Sequence, residues 1–366
     1  MQKMMDLLDN SKQLNLEQGY AQDLPYHAQR GRFKIIHQGL MIPNLPAPLH
    51  YLNFLSIIGQ PNAPMLRNPS AIQTHPLDTA TVMSSVSGKM TQPLYSYSIA
   101  QQCQFNEQYF QFGQVDQVTG NFPHFIFQRQ SADLSYHIEV TTGKAISHFT
   151  KLKIGVFDHW SILSHCKGEV IYQDQEFQID QLGAFEYARA VNLPYLPLSF
   201  FTYQIINLDH EQQLLLAQIR NQFNQIVQSR AYLRHINGQT KMFDHGVKFK
   251  VHRLYPAVTT PNGKRMYLPR EMSWTVEQRG RVVLHVHASS RGDFKFGLAA
   301  GYVGSYQYEV SYKDRKYVGE SGYCEYIDCR KLLWQEIDQP QANIFNQLKT
   351  KACVGVKRSV DEINDD

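Results

Sequence analysis

The chain of 366 residues has little charge, few cysteines and no long apolar run. Asp, Glu, Lys and Arg make up only 19% of it, and the formal net charge is +4. That balance is too small to act as an electrostatic footprint for nucleic acid, so no nucleic-acid partner is expected. A 43% hydrophobic content is nevertheless enough to build a core, which excludes a disordered chain. The five cysteines are odd in number and scattered (Cys103, Cys166, Cys324, Cys329, Cys353), so a disulfide framework is not expected. Apolar stretches fall well short of the ~18 residues that span a bilayer as a helix. The first fifteen residues, MQKMMDLLDNSKQLN, lack an apolar segment behind the lysine. Neither a secretory signal nor a membrane anchor is expected, and the cytoplasm is the expected compartment.

Several motifs are missing too. There is no Gly-x-x-x-x-Gly-Lys-Ser/Thr loop, no Gly-x-Gly-x-x-Gly and no His-Glu-x-x-His. Gly319-Glu-Ser-Gly322 brings its second glycine one position too early for a nucleophile elbow. Nucleotide-binding, dinucleotide-binding, serine-hydrolase and zincin chemistry therefore lose support. No cofactor and no metal is expected.

What the chain does have is aromatics: 21 Tyr and 20 Phe, residue types that favour strands. Residues 1–30 read as a polar arm with a weak helical pattern around Met5, Leu7 and Leu8. Residues 43–93 hold eight of the sixteen prolines and read as long loops over a scaffold. Within them, Leu49–Ile58 fits a buried strand, a short helix or a plug. From about residue 94, short alternating runs such as Leu134-Ser-Tyr-His-Ile-Glu-Val140 predict an antiparallel meander. In the stretch 211–230, Asn221-Gln-Phe-Asn224 predicts a turn between two strands rather than a helix.

The chain also repeats itself. Glu169-Val-Ile-Tyr-Gln-Asp-Gln-Glu-Phe177 aligns with Glu309-Val-Ser-Tyr-Lys-Asp-Arg-Lys-Tyr317, and Gly183-Ala-Phe-Glu-Tyr187 with Gly322-Tyr-Cys-Glu-Tyr326. Upstream, Ser135-Tyr-His-Ile-Glu139 faces Ser273-Trp-Thr-Val-Glu277. The offsets run from 140 down to 138. Two copies of one all-β unit follow. A barrel hides its sheet edges best, with a sandwich per copy as the alternative. The expected organisation is an arm over 1–30, a first barrel over 31–235, a second over 236–345, and a C-terminal segment with an acidic tail over 346–366.

Asp158-His-Trp-Ser161, Gly168, Gly183-Ala-Phe-Glu-Tyr-Ala-Arg189 and Gly322-Tyr-Cys-Glu-Tyr326 together resemble the tandem lipocalin-like (calycin) proteins. These include the hydroxyneurosporene synthase (carotenoid 1,2-hydratase) and AttH-like group, with bacterial members among them. The resemblance spans about residues 30–335. It implies two lipocalin-like barrels handling a lipid, terpenoid, steroid or polyene. Some relatives are hydratases or cyclases; no catalytic motif of the hydratases matches residue by residue.

The candidate chemistry starts with Glu186 and Glu325 of the repeated Gly-x-x-Glu-Tyr. Alternation puts Glu186 on the face of Ala184 and Ala188, and Glu325 on that of Tyr323 and Ile327. In an apolar cavity such a carboxyl stays protonated and can serve as an acid. The bland alternative is an ion pair across the sheet or between barrels. Asp158 and His159 are further acid–base candidates. Trp160, Tyr187, Trp274, Tyr323 and Tyr326 are candidates to line a ligand site. His285 and His287 share a strand face, but no carboxylate follows at ligand spacing, so a solvated face is expected. Residues 234–270 carry eight Lys/Arg and one acid, Asp244, which reads as a solvated face or a docking surface for anionic lipid. Three functions remain open: binding of an apolar small molecule, a lyase or isomerase acting on one, and a docking protein.

Overall fold

The computed structural model describes residues 8–17 and 19–330, and the protein it shows is built almost wholly of antiparallel strands. The first sheet comprises β1 (Phe33–Ile42), β2 (Leu52–Ile58), β3 (Thr79–Ser85), β4 (Leu94–Ser98), β5 (Cys103–Phe105), β6 (Tyr109–Phe112), β7 (Asp116–Asn121), β8 (His124–Arg129), β9 (Leu134–Lys151), β10 (Phe157–Tyr172) and β11 (Gln175–Val191). Its strand order is 4-3-2-1-11-10-9-8-7-6-5. The edge strands β4 and β5 follow one another in sequence, so the sheet curls into a nearly closed barrel.

The second sheet comprises β12 (Leu198–Asn207), β13 (Gln212–Asn221), β14 (Ile226–His235), β15 (Thr240–Phe243), β16 (Val247–Leu254), β19 (Pro269–Gln278), β20 (Arg281–Ser290), β21 (Lys295–Leu298), β22 (Gly301–Tyr312) and β23 (Arg315–Asp328); β17 (Val258–Thr259) and β18 (Arg265–Met266) form a separate ribbon. Its order is 15-14-13-12-23-22-20-19-16, with β21 beside β22. Again the edges β15 and β16 are successive.

The changeover between sheets lies between Val191 and Leu198, not at 235/236, because β12–β14 pair into the second sheet. Leu49–Ile58 supplies a buried strand, β2, and the 211–230 stretch folds as the β13–β14 hairpin. The duplication is structural where the match is strongest. β11 lies between β1 and β10 as β23 lies between β12 and β22. In the first copy the hairpin turns tightly at Gln173–Asp174, both with positive φ, the twist that short hairpins prefer. The upstream match fails: β9 pairs directly with β10, whereas β20 separates β19 from β22.

The arm differs from expectation as well. Residues 1–7 lie outside the described residues, as do Cys353 and the acidic tail. Residues 20–30 send Tyr26 into the first barrel, where its ring meets Phe110, Phe125, Phe185 and Tyr187 at 5.1–5.8 Å. The first-barrel core is aromatic and filled: Phe54, Phe112, Phe127, Trp160 and Tyr187 are all buried. Residues on the opposite face of its strands, Met41, Leu55, Phe149 and Ala184, instead join the core of the second barrel. This shared apolar seam packs the barrels together.

Candidate active site at the seam between the barrels

Register assembles the site. Gly39, Glu186, Ser161 and Ser147 form one row across β1, β11, β10 and β9; His37, Ala188 and His159 form the next. Residues two apart share a strand face. Both imidazoles therefore flank Ala188 and reach towards Glu186 on the outer side of the barrel. His159 Nε2 lies 2.5 Å from Glu186 Oε1 and His37 Nε2 lies 3.6 Å away. His37 Nδ1 sits 2.8 Å from the Ser56 carbonyl. A carbonyl only accepts, so Nδ1 carries a proton there, and Nε2 is the atom left to face Glu186. Gly39 keeps this row open. A Cβ there would come within 3.3 Å of Leu55 Cδ2 and 3.4 Å of Glu186 Cβ.

The second barrel contributes from the other side. Glu325 pairs in register with Tyr203 on β12 and Val303 on β22. The Tyr323 hydroxyl donates to Glu325 Oε1 at 2.9 Å. Arg234, fully buried, donates across the seam to Ser161 Oγ at 2.9 Å, and to Gln213 Oε1. Phe149 packs on His159 at 4.6 Å and on Tyr203 at 5.9 Å, joining the two halves. Glu186 and Glu325 are 4% and 5% exposed, while the His37 and His159 side chains keep 20% and 17%. The imidazoles are thus where the cluster meets solvent.

The electrostatics split the two carboxyls. Burial alone pushes Glu186 up, but the adjoining charges of His159 and His37 and their hydrogen bonds outweigh it and hold the group well below the usual carboxylate range. Burial also pushes Glu325 up, and there the nearby Glu186 charge adds to it; the Tyr323 hydrogen bond only partly opposes the shift, so Glu325 holds its proton well above the usual carboxylate range. Burial lowers Arg234 to about 10, so it stays cationic near neutrality. Under the same burial the two carboxyls therefore move in opposite directions, according to the groups beside each. Glu186 Oε2 and the Tyr203 hydroxyl find no hydrogen-bond partner among the described residues.

The chain also matches known proteins. A family model described as a family of unknown function, DUF6670, matches residues 55–341. The chain belongs to the DUF6670 family. Among solved structures it is similar to an AttH-like protein (NE1406) of Nitrosomonas europaea: TM-score 0.61, 13% identity, over 85% of this chain and 97% of that one. It is also similar to kievitone hydratase of Nectria haematococca: TM-score 0.51, 12% identity, over 81% and 89%. At this identity the likeness is one of fold: this DUF6670 chain has the lipocalin-like all-β architecture. A search of curated proteins gives no match.

Within this DUF6670 chain the sequence candidates part company. Glu186, Glu325, His159 and Tyr323 come together at the seam. Strand alternation allowed the glutamates to face into a barrel; they face out of their barrels and into the contact between them. Asp158 stands apart from this cluster, ion-paired to Lys151 and to Arg189 (3.4 Å). Trp160 and Tyr187 stack in the first-barrel core, 5.5 Å between centroids. Trp274 and Tyr326 pack with Phe249 and Phe200 in the second. His285 is exposed and pairs with Thr275, and His287 with Ser273, far in register from the seam. In the basic run, Lys248 and Arg253 pair with Glu277 and Glu271 on the surface, whereas Arg234 is buried in the cluster. Sequence reasoning missed His37, Tyr203 and Arg234.

Proposed function

We propose that this protein catalyses proton transfer on an apolar small molecule at the seam, adding or removing water or moving a double bond. One observation carries the reading: a single buried cluster sets Glu186 against two imidazoles and brings Glu325, hydrogen-bonded by Tyr323, to the same seam. In this scheme Glu325 donates a proton to an alkene carbon or a departing hydroxyl. In the neutral form of its ring, His37 takes one at Nε2 from water or a C–H bond. The His159–Glu186 contact balances the charge that forms, and Arg234 with Tyr203 faces an oxygen that becomes anionic. Phe149, Tyr51 and Met41 give the seam its apolar walls. The name of one fold neighbour, kievitone hydratase, agrees with water addition as one such reaction.

The test is to incubate the protein with apolar cell extracts and a terpenoid and polyene panel in D₂O. Mass spectrometry then follows deuterium entering carbon positions. The expected result is a labelled or hydrated compound with the wild type and loss of at least ~100-fold in rate with Glu325→Gln. Equal turnover by Glu325→Gln and Glu186→Gln would remove this assignment. Stoichiometric adducts without any labelling would favour binding alone.

A further inference from the structure

We infer a second capacity of the seam: His37, His159 and Glu186 form a binding site for a first-row divalent cation, with zinc as the reference ion. Among the described residues, these three place one ligand atom each within 4.8 Å of one another. In a tetrahedral site with Zn–N and Zn–O bonds of about 2.0–2.1 Å, neighbouring ligand atoms stand about 3.3 Å apart. The separations from Glu186 Oε1, 2.5 Å to His159 and 3.6 Å to His37, straddle that value. A small rotation of the carboxylate opens the shorter one.

Three further observations agree. His37 binds the Ser56 carbonyl through Nδ1 at 2.8 Å. Ligating imidazoles are oriented in just this manner, with Nε2 free for the ion. Glu186 Oε2 is buried without a hydrogen-bond partner. The three residues come from adjacent strands β1, β10 and β11, so the sheet register itself fixes their spacing. Two imidazoles and one carboxylate leave at least one coordination position open. The partly exposed imidazoles lead to it from solvent. An ion held there would polarise a bound carbonyl or water.

This inference shares residues with the proposed reaction but does not rest on it. Glu325 lies outside the donor set, so Glu325→Gln is decisive for turnover and neutral for metal binding. The experiment is calorimetric titration of zinc chloride into chelator-stripped, full-length protein, with cobalt absorption as a second readout. One tight equivalent is expected, together with an intense d–d spectrum of low coordination number. His37→Ala and the near-isosteric Glu186→Gln, each checked for cooperative melting, should weaken binding at least ~10-fold and alter the cobalt spectrum. The His285→Ala/His287→Ala pair, on the exposed outer face, should leave both unchanged. Should that pair abolish binding while His37→Ala spares it, the ion sits on the outer face and the inference fails. It fails equally if the wild type takes up no zinc at millimolar concentration, or if both seam variants bind like the wild type.

Discussion

Glu186 and Glu325 occupy one scaffold position in two copies of the same hairpin, yet they live in opposite states. On β11, Glu186 is flanked in register by Gly39 and Ser161, with His37 and His159 one step along. On β23, Glu325 is flanked by Tyr203 and Val303, and Phe201 stands where the first copy has His37. The backbone is equivalent and the burial nearly equal. The neighbours therefore decide that one carboxyl is shifted down and the other up. The repeat carries the carboxyl twice, and the residues that flank it differ between the two copies. Because both lie on the outer face of their barrels, packing the barrels together brings them into one field.

The contrast can be broken most forcefully at its charged half. Glu186→Gln leaves the imidazoles and Arg234 without their buried counter-charge, and about 3 kcal/mol of stability should disappear in urea denaturation at neutral pH. Glu325→Gln, which swaps a neutral acid for a neutral amide, should cost far less in the same assay.

The second effect is one of pH. The carboxyl of Glu325 titrates higher in the folded protein than in the unfolded chain. Its contribution is therefore fully present below the unfolded pKa, about 4.3, and is lost as pH rises towards the folded value. Over that window wild-type stability should fall relative to Glu325→Gln by up to about 1.4 kcal/mol per pH unit. Glu186 has the opposite sign. Its folded pKa is depressed, so its contribution is present above pH ~4.3 and drains away in acid. Denaturation curves of wild type and both Gln variants across roughly pH 3–8 read both slopes.

Third, Gly39→Leu puts a bulky residue where the second copy has Tyr203. Overpacking should cost about 1–2 kcal/mol, and the seam should lose turnover by more than the stability change explains. The smallest effect sharpens the contrast between seam and surface. Val318 is 75% exposed on β23. Val318→Lys should therefore shift stability by no more than about 0.5 kcal/mol in urea denaturation.

Much of the fold was legible because strand alternation and turn chemistry are local. The 134–140 run, the Asn221–Asn224 turn and the repeated Glu-Val-x-Tyr-x-Asp hairpin all announce themselves within ten residues. The sheet changeover was not, since β12–β14 look like their predecessors and only long-range pairing assigns them. At the site, alternation correctly grouped Glu186 with Ala184 and Ala188, but it could not say which face was the barrel interior. Residues 182–188 are buried on both sides, one face in the barrel and the other in the seam, so the usual polar-outside signal is absent. His37 stands about 150 positions before Glu186 and joins it only through β1–β11 pairing. Arg234 was hidden in a run of surface cations. Its one signal was the Arg230-Tyr232-Arg234 alternation, which puts two arginines and a tyrosine on a single strand face.

The protonation states of the two glutamates are the most direct test. Carboxyl-selective ¹³C labelling of glutamate, with Glu186→Gln and Glu325→Gln for assignment, lets NMR follow each resonance with pH. One resonance, missing in Glu325→Gln, should keep the protonated shift at neutral pH. Another, missing in Glu186→Gln, should stay ionised well into acid. Two glutamates titrating together in the ordinary range would contradict the division of roles between them.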